Sequence, residues 1–253
     1  MIRHLLQLIW NQRKQNAWLW AELLLVSVFL WFLVDYLYVM GRTYTAPLGF
    51  DIRHTYSIVI SSLSERSPDY IPKEKRERPD GVHLLTALDR IRTYPGVESA
   101  CLTDGGMPYY MGSRNLVWRI DTLQVPCRYA FVTPEFFDVF RIYDKDGKTA
   151  SLKRAIEDNN SIVISADVET MNPGLSLLGQ KAYRGNVTDE IEETIRGISV
   201  PIRRHEYTKA EPNVYRALRL SRMEEGYYEG MIDAVRLCVR VRPDVDNADF
   251  PAR

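Results

Sequence analysis

The sequence predicts an α+β protein: one N-terminal transmembrane helix followed by a two-lobed, mixed α/β body outside the membrane. Three observations carry that expectation. Ala17 to Tyr38 reads AWLWAELLLVSVFLWFLVDYLY, long enough to cross roughly 30 Å of hydrocarbon at about 1.5 Å per residue. Downstream, short β-branched runs such as YSIVISS (56–62) and SIVIS (161–165) alternate with helical patterns. Near the end, Val235, Leu237, Val239 and Val241 alternate with Arg236, Arg240 and Arg242, the period-two pattern of a strand with one buried face and one wet, basic face.

The first element is the span, placed at 17–40. Trp18 and Trp20 stand at one end and Tyr36 and Tyr38 at the other, where an aromatic belt places them, with Leu25, Phe29 and Phe32 between. Arg3, Arg13 and Lys14 precede it with no acidic residue before Glu22, which puts the N-terminus in the cytoplasm. Glu22 and Asp35 lie near the two ends, where a carboxylate reaches the interface; the sharper alternative has them facing other helices. Residues 1–16 form a cytoplasmic or interfacial segment, because Ile2, Leu5, Leu6 and Ile9 share a helical face. Only Leu23 to Val34 is free of ionisable groups, so a buried helix or a signal sequence are the competing readings of this stretch.

Residues 41–253 make the body. A strand at 56–62 leads into a Pro-punctuated connection (64–80) whose basic run is neutralised by Glu65, Glu74, Glu77 and Asp80. A helix from about 81 to 94 follows, apolar at Leu84, Leu85, Leu88 and Ile91, and Pro95-Gly96 ends it before a strand from Val97. Strands are expected at 115–120, 122–131, 161–165 and 193–201, with loops and a short helix at 166–192. In Val132-Thr133-Pro134-Glu135-Phe136-Phe137-Asp138-Val139-Phe140, Thr133 suits an N-cap and Pro134 the first helical position, and Phe136, Phe137 and Phe140 plug a core. A hydrophobic ligand site is the alternative for that aromatic trio.

Chemistry is sparse. Equal numbers of acidic and basic side chains, 33 of each, argue against a nucleic-acid binder. No zinc spacing, nucleophile elbow or phosphate-binding glycine loop occurs, and Asp104-Gly105-Gly106-Met107-Pro108 lacks the latter's pattern. His205-Glu206 beside Arg203-Arg204 is the nearest titratable cluster and reads as an exposed turn. No catalytic residue, cofactor or metal is therefore expected. Cys101 and Cys127 fall on strands, either bridged or as buried free thiols.

The order of these pieces resembles a known family. An amphipathic start and one span precede Pro47-Leu48-Gly49-Phe50-Asp51. Then come a helix closing in Tyr94-Pro95-Gly96-Val97-Glu98-Ser99-Ala100, the VTPEFFDVF segment, SIVIS and Leu178-Gly179-Gln180. In this it resembles the MacB-type ABC-transporter permeases, over their first span and periplasmic core domain. The resemblance implies a bacterial inner-membrane permease with a periplasmic body, its outer lobe at roughly 132–200 inserted in a membrane-proximal lobe. It also implies a separate ATPase subunit, a homodimer or permease heterodimer, and in some members a periplasmic adaptor or substrate for efflux. Motion driven by ATP would pass through the body by mechanotransmission. Three further spans are missing from the sequence, so a piece of a longer protein is expected. The alternative is the ligand-sensing domain of a truncated membrane receptor, which predicts a pocket within one lobe.

Overall fold

A computed structural model describes residues 3, 7, 10, 14 and 17–246, apart from 62, 73, 74, 111, 113, 186–189 and 229–231. The sequence-predicted interfacial face of Ile2, Leu5, Leu6 and Ile9 lies outside the described residues. The chain divides into two compact units, 1–47 and 48–253.

The first unit is dominated by α1 (Ala17–Thr45), 29 residues and so about 43 Å long. None of its side chains is buried, and its surface is a continuous run of exposed Trp, Leu, Phe and Val. It is long and apolar enough to cross a membrane. Trp18 and Trp20, Leu25, Phe29, Phe32 and Tyr38 are all exposed on it, as are Glu22 and Asp35.

The second unit is a mixed α/β body. Its strands are β1 (Thr55–Ile58), β2 (Val97–Asp104), β3 (Asn115–Ile120), β4 (Leu123–Val132), β5 (Ser161–Ser165), β6 (Lys181–Arg184), β7 (Ile191–Ser199), β8 (Asn213–Ala217) and β9 (Arg236–Val241). Its helices are α2 (Asp80–Arg92), α3 (Phe136–Val139), α4 (Ala150–Ala155), α5 (Asp167–Met171) and α6 (Leu220–Glu224). The nine strands form one sheet in the order β1-β9-β2-β4-β3-β6-β7-β5-β8, and β4 also pairs with β8.

That extra pairing closes a ring: β4, β3, β6, β7, β5 and β8 each bond to two ring neighbours. Every one of the six contributes to a single core, through Trp118 and Ile120, Val125 and Cys127, Ala182, Ile195, Ile162 and Ile164, and Val214. Closing the ring removes two strand edges that an open sheet would expose. The remaining arm, β1-β9-β2, is antiparallel throughout, so β1 and β2 run parallel with β9 between them. α2 joins these two, giving the β-α-β unit, and buries Leu84 and Leu88 against Leu102, Leu237, Val239 and Val241.

Several expected details change. The first strand stops at Ile58 rather than 62, and β6 forms inside the stretch expected to be loops and a short helix. In the 64–80 connection Arg76 is no free surface charge: its Nη1 holds Asp80 at 2.8 Å and its Nε donates to the Ile71 carbonyl. Thr133 does not cap α3. Its hydroxyl accepts the Leu102 N–H at 3.2 Å, and the short α3 starts after Glu135 with no side-chain cap. The His205-Glu206 turn is anchored, since the buried Arg203 donates to the carbonyls of Thr208 and Glu206. All three cysteines are free and buried. Cys127 sits in the ring core, whereas Cys101 lies opposite Cys238 on β9. Burial pushes the Cys101 thiol well up and the Cys127 thiol to about 12.

The wet basic row is corrected at Arg240, while Arg236 is half-buried and Arg242, just past β9, is exposed as expected. Both faces of β9 are covered: Leu237, Val239 and Val241 on the α2 side, Cys238 on the side of the Phe136 cluster. Arg240, on that second face, is 1% exposed. Alternation of apolar and charged residues reads as half-wet only if nothing covers the charged face, and here something does.

Candidate functional site

No three or more His, Cys, Asp or Glu side chains are grouped to hold a metal ion among the described residues. What the body does contain is a clamp on its own first residues. Leu48 to His54 is the start of the second unit, and it is tied down almost residue by residue.

The clamp centres on the buried Arg240. Its Nε donates to the Val139 carbonyl at 2.6 Å, its Nη1 to the Arg53 carbonyl at 2.8 Å, and its Nη2 to the Asp51 carbonyl. One guanidinium thus joins the entry segment, β9 and the end of α3. A planar fork of five donors suits three separately placed carbonyls, which an ammonium point charge does not. Backbone bonds add to it: Asp51 N–H to Phe140 O at 2.8 Å, Arg203 N–H to Leu48 O at 3.0 Å, and Val241 N–H to His54 O at 2.9 Å. Gly49 has φ +83°, and a Cβ there would stand 2.1 Å from the Pro201 carbonyl oxygen, so only glycine lets the two backbones meet. Phe50 packs edge-on to Tyr109, with ring centroids 5.9 Å apart.

The family-motif residues surround this clamp. Pro95 and Gly96 end α2; Gly96 has φ +97°, and an added Cβ would meet Val245 at 2.7 Å. Arg242 N–H bonds to the Gly96 carbonyl at 2.8 Å, and Val97 opens β2 against β9. Arg92, at the last turn of α2, pairs with Glu135 at 2.9 Å, linking the PGV turn to the VTPEFF turn. Thr133 and Pro134 follow β4, and Thr133 exchanges bonds with Leu102 on β2. Phe136 and Phe137 are 0% exposed and Phe140 3%. Their rings lie 4.9 to 5.9 Å from each other or from Tyr215. The structure therefore brings the PLGFD, PGV and VTPEFF segments together around β9. It places none of them with Leu178, which is 61% exposed elsewhere.

Electrostatics support the entry segment. Asp51 takes hydrogen bonds from its neighbour Arg53, through the side chain and at 2.8 Å through the backbone N–H. The Arg53 side chain holds the Asp51 carboxyl at about 2, below its ordinary 3.8. The folded-state pKa is lowered, so this carboxylate contributes stability above pH 3.8 and loses it as pH falls through about 2. Asp51→Asn is expected to flatten the fall in stability across that window, measured as urea midpoints; an unchanged slope would show that Asp51 titrates equally in both states. The effect is small, because both partners meet solvent.

A second feature is a cleft of about 540 Å³ whose walls come from β2, β4, β6, β7, β8 and α6. Among the described residues its charged groups are five arginines, Arg114, Arg184, Arg216, Arg219 and Arg222, and two carboxylates, Asp104 and Glu193. Sequence reasoning missed both features. Arg240 carried a strand signal that its burial contradicts, and the cleft arginines are scattered over 109 positions from 114 to 222.

No protein-family model matches the sequence, and no curated protein matches it. Solved structures do. A domain of a protein assigned as a permease from Porphyromonas gingivalis is 21% identical, with TM-score 0.45, over 64% of this chain; the chain spans only 62% of that domain's length. The periplasmic region of MacB from Actinobacillus actinomycetemcomitans is 9% identical, also at 0.45, over 83% of this chain and 85% of that one. The extracellular domain of the noncanonic ABC-type transporter YknZ from Gram-positive bacteria is 11% identical at 0.45, over 78% and 87%. The chain is a long apolar helix followed by a mixed α/β body similar in structure to these three domains.

Proposed function

We propose that this chain is the anchored extracytoplasmic portion of a MacB-type ABC-transporter permease, with ATP hydrolysis supplied by a separate subunit. The observation that carries the reading is the Arg240 clamp. A body that must follow the movement of a membrane helix needs its first residues fixed to its core, and Leu48 to His54 are fixed by side-chain and backbone bonds at four residues, Leu48, Asp51, Arg53 and His54. Displacing the entry segment would pull directly on β9 and on the VTPEFF turn. The motif resemblance and the apolar α1 support the same reading. On it, α1 spans a bacterial inner membrane with its N-terminus in the cytoplasm, and the body is a non-catalytic relay in a permease dimer. A periplasmic adaptor or substrate protein for efflux belongs to the same proposal. So does the division into an outer lobe near 132–200 and a membrane-proximal lobe.

The test is biochemical. The protein, co-expressed with an ABC ATPase from the same genome, is expected to co-elute with that ATPase and to stimulate its turnover. Absence of co-elution would remove the transporter reading. A second reading, a ligand-sensing domain of a membrane receptor, draws on the cleft described above. A signalling segment in place of further spans after residue 253 would select it.

A further inference from the structure

We propose that the cleft between β4, β7, β8 and α6 binds a phosphate monoester, with Arg219 and Arg222 as the residues that grip it. The charge balance is the first argument. Among the described residues, five guanidiniums face two carboxylates, a local excess of three positive charges, in a chain whose formal net charge is zero. Both carboxylates are already in ion pairs, and the Glu193 Oε2 is buried without a hydrogen bond. Glu193, 2% exposed, accepts from Arg216 through its Oε1 and lies 3.5 Å from Arg184. The Arg114 Nη1 holds the buried Asp104 at 2.6 Å. Arg219 and Arg222 have no carboxylate partner among the described residues, and Arg222 lies over the Tyr227 ring instead, 5.2 Å from its centroid.

The second argument is what surrounds those two charges. Arg216, itself largely buried, stacks on Phe131 at 5.0 Å, and the buried Nε of Arg184 faces the Glu193 carboxylate at 3.5 Å without a hydrogen bond. The cleft wall at Arg216 and Glu193 is largely dry, whereas Arg219 is half-buried and Arg222 exposed, so an anion between them is only partly screened by water. A doubly charged phosphate, with three terminal oxygens, offers guanidinium donors more acceptor sites and more charge than a carboxylate does. The volume exceeds what a phosphate group alone fills and falls in the range of small-molecule sites. Tyr227, Tyr228, Ile191 and Ala217 line the rest, so the ester carries a partly apolar or sugar-sized body. That body comes either from a soluble ester or from a phosphorylated lipid headgroup.

The experiment uses the full chain in detergent micelles and titration calorimetry with four probes. These are glycerol phosphate, short-chain phosphatidic acid, short-chain phosphatidylcholine and succinate. Saturable binding of glycerol phosphate or phosphatidic acid is expected, weakening as salt rises. Glycerol phosphate bound as tightly as the lipid points to a soluble ester; phosphatidic acid bound well above it points to a headgroup. The double variant Arg219→Gln/Arg222→Gln is expected to weaken binding by roughly a hundredfold, about tenfold for each charge-assisted contact removed. Arg196→Gln, an exposed arginine outside the cleft paired with Asp158, is the control and is expected to leave affinity unchanged. Absence of saturable binding, equal binding of succinate or phosphatidylcholine, or affinity indifferent to the double variant in a chain with an unchanged melting temperature would each overturn the assignment. Because the readout is ligand binding alone, it stands apart from any outcome with the ATPase.

Discussion

Replacing Phe136 with alanine is expected to destabilise the body by about 3–5 kcal/mol, the usual cost of emptying a buried aromatic site. The side chain is 0% exposed and meets three other rings: Phe137 at 5.9 Å, Phe140 at 4.9 Å and Tyr215 at 5.5 Å. Collapse around the void is resisted on every side. Tyr215 belongs to β8, held in register by β4 and β5, and Phe137 and Phe140 are on the same turn. The Gly105-Gly106 turn approaches from above, with the ideal Cβ position of Gly106 only 3.9 Å from the Phe136 ring. Phe136→Leu keeps most of the volume and is expected to cost less, under about 1.5 kcal/mol. Urea denaturation of the folded chain measures both. An alanine variant within about 1 kcal/mol of the parent would mean that this cluster is not the packing hub the geometry makes it.

The second large effect is expected at Arg240. Arg240→Met preserves the length of the apolar stem and removes the guanidinium, leaving the carbonyls of Val139, Arg53 and Asp51 without their donor. A buried acceptor stripped of its partner costs about 1–3 kcal/mol. Of the three carbonyls, Asp51's and Arg53's lie in the entry segment, where water can partly replace the donor. The net loss is therefore expected at about 3 kcal/mol rather than three full penalties. Burial already works against the charge of Arg240, and the nearby Arg141 adds to that, so removing the charge returns part of the loss. Arg240→Lys is expected to rescue little, because an ammonium cannot span three separated carbonyls. Hydrogen exchange adds a local readout: the Asp51 amide, bonded to Phe140 O, should lose protection in Arg240→Met well before the ring core does. Uniform loss of protection would make Arg240 a general stabiliser and not a clamp on the entry segment.

How much of this was legible in the chain differs by element. The SIVIS strand, the Asn115–Ile120 and Leu123–Val132 pair and the helix before Pro95 follow from local signals. The strands have β-branched or aromatic runs, the helix has an apolar face at Leu84, Leu85, Leu88 and Ile91, and Pro95-Gly96 stops the helix. β6 had no such signal, since its KAYR is four residues long and becomes a strand only because β3 and β7 flank it. Thr133 had the composition of a cap but was drawn into a bond with Leu102, a residue 31 positions away. The cleft arginines are far apart in sequence, so no spacing rule could have grouped them.

The sequence by itself determined the long apolar α1, the kinds of elements that follow and the absence of any recognisable catalytic pattern, because these depend on composition and on periods of two and 3.6 residues. Only the tertiary structure decided that β4 pairs with β8 to close a ring, that both faces of β9 are covered, and that Arg240 is a buried clamp. The physical reason is that whether a polar side chain meets water depends on what packs over it. Residues distant in the chain supply that cover, so no local window contains it.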